Sequence, residues 1–221
     1  MKLVFPQISA PIEFRENVLN SLVIENQPLF RSLIEDFHCQ INGFDGFSIL
    51  SLNNSPVDIA KNVELITSFV PFELNRKSLI GKIISSLEKT AINETHYVRT
   101  SQLLSSIEKY IEDLTFEYPC DLECSKITVS ALLKMVGLQI HEEMGNSLDK
   151  IIDYMELVRE FEKDKLFIFV NMRSYYSDEQ MEAFVQTAIS HKYKILLLDA
   201  SEHCRLQDEK RVIIDADLCE I

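Results

Sequence analysis

LFIFVNMRSYYSDEQMEAFVQTAISHKYKILLL, residues 166–198, decides the fold. Its first five residues, Leu166 to Val170, and its last four, Ile195 to Leu198, are wholly apolar, and a helical stretch at 178–191 lies between them. Two fully apolar strands joined through a helix predict a parallel sheet with both faces covered. Beyond it, Val212-Ile213-Ile214 predicts a last strand.

Moving toward the N-terminus, 147–163 carries Leu148, Ile151, Ile152, Tyr154, Met155, Val158 and Phe161 at helical spacing. At the start of the chain, Leu3-Val4-Phe5 and Leu22-Val23-Ile24 read as strands separated by Pro6 and Pro11. Residues 28–39 predict a helix with Pro28 in its first turn, and the turn residues Asn42-Gly43 and Asp45-Gly46 introduce a strand at 47–52. The middle differs: 76–118 is helical throughout (Leu79, Ile80, Ile83, Ile84, Leu87, then Leu103, Leu104, Ile107, Ile111, Leu114), and 130–136 continues it up to the stop at Gly137. The expected organisation is an α/β domain built from residues 1–58 and 146–221, with an all-helical insertion at 59–145.

With 221 residues, 46% hydrophobic, 13 Phe and only five Gly and six Pro, the chain holds enough apolar surface for one sizeable core. It contains no run of about 18 uncharged apolar residues, and residues 1–11 lack the regions of a signal peptide, so a cytoplasmic location is expected. Five scattered cysteines (Cys39, Cys120, Cys124, Cys204, Cys219) predict reduced thiols. The net charge of -13, from 35 acidic and 22 basic residues, opposes phosphate binding by an isolated chain. Binding depends on where charge sits, however, and divalent cations can cancel part of an acidic surface.

Catalytic signatures are missing. A nucleotide-binding α/β core needs a loop such as G-x-x-x-x-G-K-[ST], and the single Gly-Lys pair, Gly81-Lys82, precedes Ile83 inside a helical pattern. No G-x-S-x-G elbow is present. Cys120, Cys124 and His141 offer loose zinc spacing without a fourth ligand, against the alternative of small buried thiols. The densest polar group is acidic: Glu112, Asp113, Glu117, Asp121 and Glu123, followed by Glu142 and Glu143. Clustered carboxylates repel unless protonated, hydrated or bridged, and calcium accepts six to eight oxygens in flexible geometry. A solvated helix end is the other reading. Basic residues occur only as local pairs, Arg76-Lys77, Lys163 with Lys165, Lys192 with Lys194, and Lys210-Arg211, which gain weight if a symmetric assembly repeats them around an opening.

Three segments carry a family resemblance: Leu22-Val23-Ile24-Glu25-Asn26; Asp121-Leu122-Glu123 with Ile127-Thr128 and residues 132–138 (LLKMVGL); and Leu166 to Asn171 leading into Leu196-Leu197-Leu198. In order and overall length the chain resembles the small adaptation (spacer-acquisition) protein family of type II-A CRISPR loci. That resemblance implies a degenerate P-loop-NTPase-like head domain with a parallel sheet, an inserted helical leg, and no enzymatic activity. It also implies a ring-shaped homotetramer, calcium on acidic leg residues, duplex DNA in a positively lined hole, and work alongside the integrase pair and the RNA-guided effector nuclease.

Asp121 and Glu123 match the family's acidic leg segment, and Glu112, Asp113, Glu117, Glu142 and Glu143 join them as metal candidates by proximity. Cys124, Ser125 and Lys126 stand where further acids are expected. Lys126, Lys134, Arg173, Lys192 and Lys194 are the expected DNA-facing residues. Two other classes compete with this expectation: a nucleotide-dependent enzyme with a P-loop-like core, and an adaptor that binds only protein.

Overall fold

The computed structural model describes residues 1–120, 122–141, 147–162 and 165–221. The chain divides into two compact units, one made of Met1–Phe72 with Gly145–Ile221 and the other of Glu73–Met144.

The first unit is built on five parallel strands. They are β3 (Leu19–Ile24), β6 (Val63–Ile66), β7 (Leu166–Val170), β8 (Lys194–Asp199) and β9 (Glu209–Ile214), in the order β6-β7-β8-β3-β9. Leu166 pairs with Lys194 and Val170 with Leu198, so β7 and β8 run in step. Every residue of β3 and β7 is buried; the unbroken apolar run of β7 requires it, whereas β3 also buries the polar Asn20 and Ser21. A second, antiparallel sheet contains β1 (Lys2–Val4), β2 (Ile12–Glu13), β4 (Ile49–Leu52) and β5 (Ser55–Val57) in the order β2-β1-β4-β5.

Alternate residues of the parallel sheet face opposite sides. On one side Leu22, Ile24, Ile168, Leu196, Leu198 and Ile214 join one apolar cluster with Leu3, Phe5 and Leu50 of the antiparallel layer and with Leu29, Leu33 and Phe37 of α1 (Gln27–Ile41). Leu29, Leu33 and Phe37 recur every four residues and so form the buried stripe of α1. Asn26 caps the helix by accepting the Leu29 N–H at 3.0 Å. Near its other end the buried Asp36 carboxylate accepts the N–H groups of Phe47 (2.7 Å) and Ser48 (3.1 Å), anchoring the turn into β4. Gly46 is needed there, because a Cβ would stand 2.2 Å from Asp36 Oδ1.

The other side of the sheet lies under α6 (Ser147–Phe161) and α7 (Asp178–Ser190). Phe169 of β7 meets Phe184 of α7 edge-on at 5.5 Å, and Tyr154 of α6 donates its hydroxyl to Glu64 of β6. A capping box starts α7: Gln180 N–H donates to Ser177 Oγ (3.3 Å) and Ser177 N–H to Gln180 Oε1 (3.0 Å). Ser177→Ala is therefore expected to lower stability by about 1 kcal/mol in urea unfolding.

Residues 59–72, expected in the insertion, belong to this unit. Asp58 caps the short α2 (Ile59–Asn62) by accepting the Ala60 N–H at 2.9 Å, and β6 then adds to the sheet beside β7 with Val63 opposite Leu166. At four residues, β6 is too short for its period to register in the sequence. The strands β2 and β5, of two and three residues, escaped notice for the same reason.

The second unit is helical among its described residues, with α3 (Lys77–Ala91), α4 (Tyr97–Thr115) and α5 (Val129–Met135). Thr128 caps α5 by accepting the Ala131 N–H at 3.1 Å. Asn75 clasps the far end of the unit, donating to Ile140 O (3.1 Å) and accepting from Ile140 N–H (2.7 Å). Among the described residues no helix is long and apolar enough to cross a membrane.

Candidate functional site

The polar region expected to hold metal lies in the second unit. There α4 and residues 122–127 border a groove of about 270 Å³, lined by Glu108, Glu112, Thr115, Cys124, Ser125 and Lys126 among others. Glu108 and Glu112 are one turn apart on α4 and so share a face. Glu108 also accepts the Ile127 N–H at 3.4 Å. Sequence reading passed over Glu108, although its position four residues before Glu112 is the signal that places it here.

The other acidic candidates divide. Asp113, Glu117 and Glu123 are exposed and do not line this groove. Asp121, Glu142 and Glu143 lie outside the described residues. Among the described residues no three His, Cys, Asp or Glu side chains converge as a metal site. The side-chain oxygens of Glu108, Glu112, Thr115 and Ser125 suit a hard cation in kind, and only with both oxygens of each glutamate do they reach the lower end of the six to eight that calcium takes. Lys126 brings an ammonium group to the same groove. Cys120 and Cys124 are exposed thiols, which overturns the expectation that they are small buried groups.

The expected DNA-facing residues also fall in different surroundings. Lys126 and Lys134 are exposed in the second unit. Lys192 is exposed in the first, where it pairs with Glu16 at 3.2 Å, and Lys194 is half-buried at the start of β8. Arg173 must be corrected. It sits in the 3-10 turn Met172–Ser174 after β7, at the opposite end of the sheet from Lys194, and its side chain is only 3% exposed. Its Nε lies 3.5 Å from Asp199 and its Nη2 3.0 Å from Glu209, so a guanidinium expected to meet phosphate is instead held by two buried carboxylates.

Several charged side chains meet around Arg173. Glu209 receives a two-pronged contact from Arg211 (Nε at 2.8 Å, Nη2 at 3.0 Å), the Leu206 N–H at 2.8 Å, and the Ser21 hydroxyl. Burial alone would raise its pKa, but these hydrogen bonds outweigh that effect and hold the carboxyl down at about 2. Asp199, at the end of β8, is 1% exposed, and neither of its oxygens has a well-formed hydrogen bond. Burial dominates here and pushes its pKa up to about 6, with the positive charge of Arg173 opposing only in part. Sequence reading missed this network because its members come from β3, the turn after β7, β8 and β9, and no spacing along the chain connects them.

The junction where a phosphate loop would lie is the turn from β3 into α1. Its residues are Glu25, Asn26, Gln27 and Pro28, so no glycine lets the backbone wrap a phosphate. Pro28 has no N–H and the Leu29 N–H already bonds Asn26, so the first turn of α1 has few donors left for an anion.

Comparison with known proteins adds an independent line. Residues 40–218 match the family described as CRISPR-associated protein (Cas_Csn2). A CRISPR-associated protein Csn2 from Streptococcus agalactiae is 24% identical over 221 residues, covering 98% of this chain and 96% of the relative. Another protein of that name, from Enterococcus faecalis, is 24% identical over 203 residues and 90% of each chain.

Proposed function

The chain belongs to the CRISPR-associated Cas_Csn2 family, and from that premise we propose that it binds double-stranded DNA ends without reading sequence, as a ring-shaped homotetramer acting in spacer acquisition. In this reading Met1–Phe72 with Gly145–Ile221 is a head related to P-loop cores, and Glu73–Met144 is an inserted leg. The head does not turn over nucleotide. The family match across residues 40–218 is the observation that carries the proposal.

Assembly meets the charge objection. A monomer of charge -13 repels a polyanion, whereas a ring can gather the exposed Lys126, Lys134 and Lys192 of several copies around one opening while acids face outward. Helix α4 supports self-association: none of its 19 residues is buried, and Leu103, Tyr110 and Leu114 stand exposed along it. Calcium in the groove beside Glu108 and Glu112 belongs to the same proposal. It would add positive charge there, with Asp121, Glu142 and Glu143 as the remaining candidate ligands. The working partners are the integrase pair and the effector nuclease.

Gel shift with linear and covalently closed circular duplex tests this reading. Threading onto ends predicts strong preference for linear DNA and affinity that falls steeply with salt, because phosphate contacts release counterions. A chelator should weaken both DNA binding and the tetramer seen by light scattering. Equal binding to both DNA forms would sink end threading, and binding to neither would favour an adaptor that meets basic proteins through its acidic surface.

A further inference from the structure

Asp199 ends β8, and the loop 200–208 that follows it, exposed except at Ala200, His203 and the buried Leu206, leads directly into β9. The register of the sheet puts Asp199 beside Val23 of β3, on the face shared with Phe169 and α7. Two buried arginines pin the loop from beneath. Arg211 donates to the carbonyls of His203 (2.9 Å) and Cys204 (3.2 Å) and pairs with Glu202 at 2.9 Å, while Arg173 donates to Cys204 O at 3.2 Å. Leu206 closes the far end by giving its N–H to Glu209.

We propose that loop 200–208 is a pH-gated cover over the Asp199 carboxylate: it stays shut when Asp199 is neutral and opens to admit water when Asp199 is ionised. The physical reason is the mismatch in hydrogen bonding. A buried carboxylate without a well-formed hydrogen bond is strongly disfavoured, and the loop is coupled to it through Arg173, which faces Asp199 and donates to Cys204 O. The alternatives are closed off, since the β3 residue beside Asp199 is Val23, the Ser21 hydroxyl on the same face goes to Glu209, and Arg173 is already shared with Glu209.

The charged neighbours set the sign. Arg173 from the turn after β7 and Arg211 from β9 favour ionised Asp199, whereas Glu209 from β9 disfavours it. His203 of the loop has its pKa lowered, first by burial and then by Arg173. Asp178 at the start of α7 acts on His203 and Cys204. Strand β3 offers only the Ser21 hydroxyl, which Glu209 takes. The closed state keeps the Asp199 proton up to about pH 6, whereas an open, hydrated carboxyl loses it near 3.8. Opening therefore grows as pH rises between these values and levels off above about 6, by a factor on the order of 100.

Amide hydrogen exchange, corrected for intrinsic rates, reads this directly on the intact protein. The Leu206 amide should lose protection as pH rises from about 4.5 to about 6.5, while Ile168 in β7 stays unchanged. Asp199→Asn should hold Leu206 at high protection across the range. A pH-independent Leu206 in the wild type would overturn the proposal, as would a transition surviving in Asp199→Asn, an equal change at Ile168, or failure of the Asn variant to fold.

Discussion

Glu209→Gln is expected to destabilise the α/β unit by about 3–5 kcal/mol, the usual cost of removing one partner from a buried ionic network. The substitution keeps size and shape but removes the charge that holds two guanidiniums. Arg173 and Arg211 would remain in place with side chains 3% and 8% exposed, sharing Asp199 and Glu202 as their remaining carboxylates. Urea unfolding at neutral pH should show a much lower midpoint with an unchanged slope. A loss below about 1 kcal/mol would mean that the network is locally rearranged rather than integral to the unit.

Acid titration provides a second reading of the same residue. The folded Glu209 carboxyl, at about 2, lies below its ordinary value of 4.5, so the unfolded chain takes up this proton first as pH falls. Its contribution is complete above about pH 4.5 and is lost on the way down to about 2, an amount on the order of 3 kcal/mol. Asp199 has the opposite sign: its raised pKa contributes stability below about 3.8 that is lost as pH rises through about 6. Together the two carboxyls place their joint optimum at about pH 4, where the two ranges overlap, and Glu209→Gln should remove the acid limb and weaken the other, because Glu209 itself helps to raise Asp199.

Phe169→Ala is expected to cost a further class of stability, about 3–5 kcal/mol through lost burial and the cavity left behind. Phe169 is completely buried in β7, and its ring lies 5.5 Å from Phe184, 6.3 Å from Phe69 and 6.5 Å from Phe167. These partners come from α7, from the segment after β6 and from β7 itself, so the space cannot close without moving three elements. Calorimetric unfolding should show a markedly lower midpoint. A change under about 1 kcal/mol would imply that the aromatic layer repacks around the loss.

Much of this could be read from residue order, and the reason is periodicity. Leu166 to Val170 is apolar without interruption, so only a strand buried on both faces accommodates it, and the helix bracketed by β7 and β8 made a parallel arrangement the economical solution. Asn26 before Pro28, Ser177 before Gln180, and Thr128 before α5 similarly mark helix starts by local hydrogen bonding, which adjacent residues determine. The family resemblance was legible for a different reason, since it depended on the order of several segments, and the match over residues 40–218 bears it out.

What local order could not supply was neighbourhood. Short β6 became the edge of the sheet because β7 offered an open flank, not because four residues announce a strand. Arg173 looked like a surface cation, as an arginine usually is, until the turn after β7 carried it beneath loop 200–208 to two carboxylates from other strands. Glu108 and Glu112 acquired a common groove, and Asp199 its buried isolation, only when distant segments closed over them. Hydrophobic period and helix caps act over a few residues and survive in the sequence alone. Desolvation and charge pairing depend on which groups the fold brings within a few ångströms, and the tertiary structure alone decides that.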